Sequence, residues 1–182
     1  HCLDPMYTHF DKRILSVTHD VTSFIRDGEN LIGIQLGNGW YNHQSTAVWF
    51  FDKASWRNRP RFTAQLHLRF TDGTTEYLGT DSTWQTTDSP VTFNSIYTAE
   101  HYDAQKEVTG WDSPGFNATG WYHAQETESP TETIKSQVMH PIRETARYTA
   151  TQCKKINDSC YVYYFPKNIA GVTELKVKGN CA

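Results

Sequence analysis

Glu100 and Asp103 form the carboxylate pair that comes closest to what acid–base chemistry needs in this sequence. Hydrolysis of a sugar linkage, for example, takes two carboxylates that flank the scissile bond, one as acid and one as base or nucleophile. On a β-strand, positions three apart point to opposite faces. The spacing therefore favours a structural role, in which the carboxylates accept hydrogen bonds from loop backbone. We predict no catalytic residue in this chain, and we keep Glu100 and Asp103 as candidate carbohydrate-binding residues.

The segment from Asn38 to Tyr41 is the most attractive candidate for ligand binding. The rings of Trp40 and Tyr41 could stack on the apolar face of a sugar, and the Asn38 amide could bond neighbouring hydroxyls. Gly37 and Gly39 would let the backbone approach a ligand closely. The alternative is a glycine-permitted bend with Trp40 in the core, which is the more common place for a Trp.

Cys153 and Cys160 flank the polar segment 154–159, where a hairpin would bring them together as a candidate disulfide. The alternative is that all four cysteines, with Cys2 and Cys181, are reduced thiols. No CxxC pair occurs, so a structural zinc site has no support. The eight His residues show no metal-ligand spacing, and we predict no metal site.

The overall composition is that of a soluble globular protein and excludes several functions. The 182 residues are 37% hydrophobic and 20% charged, with a net charge of −3. The sequence has no run of Lys and Arg that could bind a phosphate backbone, so we expect no nucleic-acid partner. No apolar run approaches the length of a membrane span, so we expect no membrane insertion.

Residues 61–70 carry the clearest secondary-structure signal, a strict alternation of apolar and polar side chains that predicts a half-buried antiparallel strand. The turn at Asp72-Gly73 then predicts a hairpin with a return strand at 76–79. Further strands are expected at 14–19, 31–36, 92–97, 102–108, 147–153, 160–165 and 172–178. No long amphipathic helix appears, so the chain is predicted to be all-β.

Residues 124–135 are polar, contain Pro130 and lack periodicity, which indicates a boundary between two domains. We place a first domain at 1–125 and a linker with the first strands of a second β domain at 126–182. A β segment of only about fifty residues buries too little core to stand alone. It is therefore expected to pack on the first domain or to belong to something larger.

An ordered series of short motifs extends over nearly the whole chain and resembles the accessory N-terminal region of bacterial α-L-rhamnosidases. No single motif is specific, and their shared order carries the resemblance. The motifs are Leu3–Arg13, Asp20-Val21-Thr22, Asp27–Asn30, Leu36–Tyr41, Ile96–Ala104, Gly110–Phe116 with Trp121, His140–Arg143 and Asn168–Gly171.

The resemblance implies a jelly-roll-like, galactose-binding-like antiparallel sandwich followed by the first strands of a second β domain. In that family the catalytic carboxylates lie in a helical barrel further along the chain, and nothing here resembles that barrel. The expected function is thus an accessory, non-catalytic part of an α-L-rhamnosidase. Its expected partners are the catalytic domain of the same protein and, through it, a rhamnose-containing glycan.

Two alternatives stay open beside this function. One is an independent carbohydrate-binding module for rhamnose-containing glycans. The other is a purely structural or adhesion sandwich, which predicts full burial of Trp40, Trp84, Trp111 and Trp121.

Some relatives bind rhamnose with calcium, an ion that takes several oxygen ligands. No dense Asp/Asn cluster stands out, so no cofactor is predicted, with calcium kept as an open alternative. A periplasmic or secreted location is favoured over a cytoplasmic one.

Overall fold

A computed structural model describes residues 4–46, 49–176 and 178. It contains ten short strands and three single-turn 3₁₀ helices. The 3₁₀ helices are Thr22–Phe24, Phe51–Lys53 and Ala104–Lys106. The strands are β1 (Ile14–Ser16), β2 (Gln65–Arg69), β3 (Thr75–Gly79), β4 (Gln85–Thr86), β5 (Val91–Ser95), β6 (Ala99–Tyr102), β7 (Tyr122–His123), β8 (Ile134–Ser136), β9 (Gln152–Asn157) and β10 (Cys160–Tyr164).

The strands pair into five two-stranded ladders within the described residues. Four ladders are antiparallel (β2–β3, β4–β7, β5–β6 and β9–β10), and β1–β8 is parallel. The predicted all-β class is therefore confirmed. The finer expectation of a jelly-roll sandwich stays a prediction. Among the described residues, no helix is long and apolar enough to cross a membrane.

The β2–β3 hairpin follows directly from the alternation in the sequence. Leu66 and Leu68 are half-buried, while the polar residues between them are exposed. The strands meet in the register Leu66 with Leu78 and Leu68 with Glu76. Gly73 closes the turn with a φ of +89°, a conformation that glycine adopts at no steric cost.

The chain divides into two units, His1–Pro141 and Ile142–Ala182. The predicted domain boundary at residue 125 stays a prediction, and the first of these units extends beyond it. The reason is strand β8, which follows the polar segment and pairs with β1 in the register Ile14 with Ile134. Gln137 adds to this return, because its Oε1 accepts from the Met6 backbone N–H at 2.8 Å and its Nε2 donates to Asp4 Oδ1 at 3.3 Å.

Several predicted strands are absent from the described residues. Residues 31–36 belong to no ladder, and the Trp111 indole lies against the backbone of Gly33 instead. The predicted strand at 102–108 was wrong beyond Tyr102, because Asp103 begins a 3₁₀ turn. In the second unit, residues 147–151 and 172–176 are not strands, and β9 and β10 form the one hairpin described there.

Burial is concentrated in one place on the first unit. Among the described residues, no hydrophobic side chain is fully buried, and the three buried residues are the polar Thr8, His43 and Ser45. Around His43, aromatic side chains from four segments pack against one another. We call this group the aromatic cluster; its members are Tyr7, Phe10, Trp40, Tyr41, His43, Trp49, Phe51, Trp56 and Tyr97.

Candidate functional site

The loop that begins at Asn38 is anchored to strand β5 by the side chain and backbone of Asn94. The Asn38 backbone N–H donates to Asn94 Oδ1 at 2.8 Å, and the Asn38 Nδ2 donates to the Asn94 carbonyl at 2.9 Å. Within the loop, Asn42 donates its backbone N–H to the Asn38 carbonyl and its Nδ2 to Asn38 Oδ1. The Asn38 amide is therefore committed to holding the loop, and in this arrangement it is not directed at a ligand.

Trp40 extends from this loop into the middle of the aromatic cluster. Gly39, with a φ of +50°, makes the turn that brings the indole there. Its ring centroid lies 5.2 Å from that of Phe51, 5.6 Å from Tyr97 and 5.7 Å from Tyr7. These tilted and edge-to-face contacts are the arrangements that aromatic pairs prefer. Trp40 nevertheless stays half-buried, so part of the indole faces solvent.

His43 is the most enclosed residue of the cluster, with 0% of its surface exposed. Its ring stacks on Trp40 at 5.5 Å with an interplanar angle of 22°. Its backbone carbonyl accepts a hydrogen bond from Arg57 Nε at 2.9 Å. Neither ring nitrogen has a hydrogen-bond partner among the described residues. Buried groups of this kind are usually met by ordered water or by a bound molecule.

Tyr41 points to a different side of the cluster from Trp40. Its ring packs edge-to-face on Phe10 at 5.2 Å, and the Arg61 guanidinium lies 5.9 Å from its centroid. A guanidinium at this distance from an aromatic face is attracted to it. The two adjacent rings that the sequence singled out are thus both held by packing, each against its own partners.

A polar group composed of His9, Asp11 and Ser55 borders the cluster next to Trp56. The His9 ring lies 4.2 Å from the Trp56 ring, and its Nδ1 lies 2.5 Å from Asp11 Oδ1. Ser55 Oγ donates to the other Asp11 oxygen at 3.0 Å. The hydrogen bond from His9, assisted by that from Ser55, holds the pKa of the Asp11 carboxyl below its ordinary value. This carboxylate stays ionised at neutral pH and fixes the orientation of both neighbours.

Glu100 and Asp103 occupy separate positions on strand β6 and the turn that follows it. Glu100 pairs with Asn94 across the β5–β6 ladder. Directly opposed residues project from the same face of a ladder, so Glu100 lies on the face that carries the Asn38 loop. Asp103 instead caps the 3₁₀ turn Ala104–Lys106, where its carboxylate accepts from the Gln105 backbone N–H. The structure thus gives the two carboxylates different surroundings.

The structure brings Asn38, Trp40 and Glu100 to the β5–β6 hairpin and leaves Tyr41 and Asp103 on other contacts. Four members of the cluster were not predicted from the sequence: Tyr7, His43, Phe51 and Tyr97. The signal for some of them was present, because residues 38–60 are dense in aromatic side chains. Tyr97 lay inside a recognised motif. Tyr7 also lay inside a motif of the series, but only the tertiary fold joins it to Trp40.

The two described cysteines are free thiols, so the candidate disulfide between Cys153 and Cys160 is absent. The register of the β9–β10 hairpin is the reason: Cys153 pairs with Tyr163, and Cys160 pairs with Asn157. Three strand positions separate Cys160 from Tyr163, about 10 Å along the strand. That separation exceeds the reach of a disulfide. Cys2 and Cys181 lie outside the described residues.

Within the described part of the chain, no group of three or more His, Cys, Asp or Glu side chains is placed to hold a metal ion. The four Trp residues whose full burial a purely structural domain predicts, Trp40, Trp84, Trp111 and Trp121, are each only half-buried.

Comparisons with known proteins agree with the motif series. A family model described as the α-L-rhamnosidase N-terminal domain matches residues 1–146. An α-L-rhamnosidase of Formosa agariphila is 33% identical over 181 residues, covering 97% of this chain and 19% of that protein. One of Streptomyces avermitilis is 31% identical over 179 residues, covering 98% of this chain and 17% of that protein. The chain thus spans less than a fifth of the length of these relatives.

Solved structures show the same relationship. The α-L-rhamnosidase of Dictyoglumus thermophilum matches 88% of this chain and 17% of its own, with a TM-score of 0.72 and 29% identity. The Streptomyces avermitilis enzyme, solved in complex with L-rhamnose, matches 88% of this chain and 16% of its own, with a TM-score of 0.73 and 28% identity. Because the family model matches most of its length, the chain belongs to the α-L-rhamnosidase N-terminal domain family.

Proposed function

We propose that this chain is an accessory, non-catalytic part of an α-L-rhamnosidase, and that it supports substrate recognition or domain architecture for a catalytic part of the same protein. The observation that carries the proposal is the placement of its best carboxylates. Asp103 is occupied as the cap of a turn, and Glu100 lies on a ladder facing Asn94. Glycoside hydrolysis requires two carboxylates across one bond, and the different surroundings of Glu100 and Asp103 support a non-catalytic role.

The test is hydrolysis of p-nitrophenyl α-L-rhamnopyranoside by the 182-residue chain. We expect no release of nitrophenol above the buffer blank, because Asp103 caps a turn and Glu100 lies in separate surroundings on strand β6. Glu100→Gln and Asp103→Asn variants serve as controls for trace contamination, since a contaminating enzyme would be unaffected by either change. Hydrolysis that both substitutions abolish would contradict the proposal.

A second candidate function is an independent carbohydrate-binding module for rhamnose-containing glycans. The half-buried ring of Trp40 and the exposed rings beside it favour this candidate, since aromatic rings stack on sugar faces. The likeness to an α-L-rhamnosidase solved in complex with L-rhamnose supports rhamnose as the sugar to test first. Under this function the chain binds sugar alone, without the catalytic part.

Titration of the chain with L-rhamnose and a panel of other monosaccharides, with and without calcium, followed by tryptophan fluorescence, separates the candidates. Saturable, rhamnose-selective binding that Trp40→Ala abolishes would establish the binding module. Trp84→Ala is the matched control, because Trp84 is also half-buried but contacts Phe62 away from the cluster. A flat response would favour a structural partner of the catalytic part.

A further inference from the structure

Trp49 and Phe50 adopt a backbone conformation that bulky residues seldom take. Their φ angles are +52° and +55°, and they are the two non-glycine residues with positive φ among those described. Left-handed backbone is disfavoured for side chains with a Cβ, and two such residues in succession are rarer still. Such outliers persist only where the surroundings hold them, and they concentrate at functional sites.

The surroundings that hold this step are the turn after it and the aromatic cluster behind it. Lys53 donates its backbone N–H to the Phe50 carbonyl at 2.9 Å, which closes the turn. Phe51, the next residue, anchors the step because its ring packs on Tyr7 at 5.6 Å and on Trp40 at 5.2 Å. The strained backbone is therefore fixed from its carboxyl-terminal side.

The strain directs two rings outward instead of burying them. Trp49 is 70% exposed and Phe50 is 68% exposed. The Trp49 ring contacts the cluster on one side: its centroid lies 6.5 Å from that of Trp40 and 6.0 Å from that of Phe51, which it meets edge-to-face. Most of its surface remains exposed to solvent. The Lys53 ammonium lies 5.4 Å from the Phe50 centroid, so Phe50 is partly covered and Trp49 is the more open ring.

We propose that Trp49 is a stacking ring for a pyranose of a glycan, held out by the Trp49–Phe50 backbone and lying next to Trp40. This inference rests on the proposed role in recognising rhamnose-containing glycans and adds a residue outside the Asn38–Tyr41 segment. An indole offers a flat apolar face that matches the C–H face of a sugar ring. The Lys53 ammonium, which lies over the neighbouring Phe50 ring, is a donor for sugar hydroxyl oxygens.

Charge and continuity with the aromatic cluster favour a sugar over other occupants. Lys53 is adjacent in sequence to Asp52, so the charges of these two side chains cancel. The segment therefore has no net positive charge that would attract it to an anionic membrane surface. The ring is also continuous with Trp40, the centre of the cluster.

The test measures binding of methyl α-L-rhamnopyranoside to the full 182-residue chain by ligand-observed NMR, so that losing one indole does not remove the signal. We expect Trp49→Ala to weaken binding about tenfold and Trp49→Phe to retain most of it. Tyr122→Ala is the matched control, because Tyr122 is 76% exposed and lies outside the cluster; it should leave binding unchanged. Thermal melts establish that each variant is folded.

Each result bears on the inference separately from the proposed function. Binding that Trp49→Ala leaves intact would overturn the role of Trp49 while the accessory role stands. No binding by the unmodified chain would also overturn it, whereas the accessory role is contradicted only by hydrolysis. The chain could instead bind phosphatidylglycerol vesicles and no sugar. If Trp49→Ala then lost the vesicle binding, the role of Trp49 in sugar stacking would be overturned in favour of binding to a lipid surface.

Discussion

Gly33 has no room for a side chain, because the Trp111 indole lies against it. A Cβ at this position would meet Trp111 Cζ3 at 2.6 Å, closer than carbon atoms approach in proteins. We predict that Gly33→Ala destabilises the chain by about 1–3 kcal/mol, the usual cost of overpacking. Urea denaturation measures the change. Gly79→Ala is the control, since nothing lies within 4 Å of its added Cβ; equal losses in both variants would contradict the contact with Trp111.

The left-handed step at Phe50 predicts an opposite effect on stability. Glycine accepts a φ of +55° without steric cost, and the Phe50 ring is largely exposed. Phe50→Gly should therefore keep or raise the melting temperature. The substitution relieves up to about 1 kcal/mol of backbone strain in the folded chain, and this gain is partly offset because glycine has more conformational freedom in the unfolded chain. Phe51→Gly, which removes a packed ring, should lower it. A marked loss of stability in Phe50→Gly would show that the exposed ring is structural.

At the scale of elements, the return of strand β8 to strand β1 depends on the side chain of Gln137. Replacing it with Ala leaves the part-buried Met6 N–H without its 2.8 Å acceptor. An unsatisfied group of this kind costs about 1–3 kcal/mol. We expect that loss in urea denaturation of Gln137→Ala. Gln125→Ala, at an exposed glutamine before the strand, should change little, and similar losses in the two variants would argue against a specific role for Gln137.

The sequence predicts local elements better than distant pairings, and the strands show why. The β2–β3 hairpin was predicted because its alternation and its Asp72-Gly73 turn are both contained in one segment. The three-residue strands β1 and β8 pair across the length of the unit, and nothing in either segment specifies the other. The same reason separates Trp40, which was singled out, from its partner Tyr7, which was not.

Across the whole molecule, Asp or Asn followed two residues later by Thr or Ser forms a recurring turn. The side-chain oxygen of the first residue accepts from the backbone N–H of the third at Asp20, Asp72, Asp81, Asn117 and Asn157. Such Asx turns let a short side chain replace a backbone acceptor. In a chain with few long strands, these turns fix much of the connecting backbone.

These turns predict how stability depends on pH. Hydrogen bonds from Thr74 and Thr83 lower the pKa of Asp72 and Asp81 below the ordinary value. A carboxyl whose pKa is lower folded than unfolded stabilises the fold above its unfolded pKa of about 4, and this is lost as the pH falls through the folded value. The melting temperature should thus drop below pH 4. The double variant Asp72→Asn, Asp81→Asn retains the turns without titrating, so its drop should be smaller; an unchanged profile would contradict this.

The parallel pairing of β1 with β8 also constrains the order in which the strands can pair while the chain is being synthesised. About 120 residues separate Ile14 from its partner Ile134. Ribosomes add about 5–20 residues per second, so the first strand waits roughly 6–24 s for the second to be synthesised. Hairpins such as β2–β3 form within microseconds of their completion. The emerging chain therefore passes through a stage in which its local hairpins exist while its first strand is still unpaired, and a chaperone or a neighbouring nascent chain would find that strand accessible.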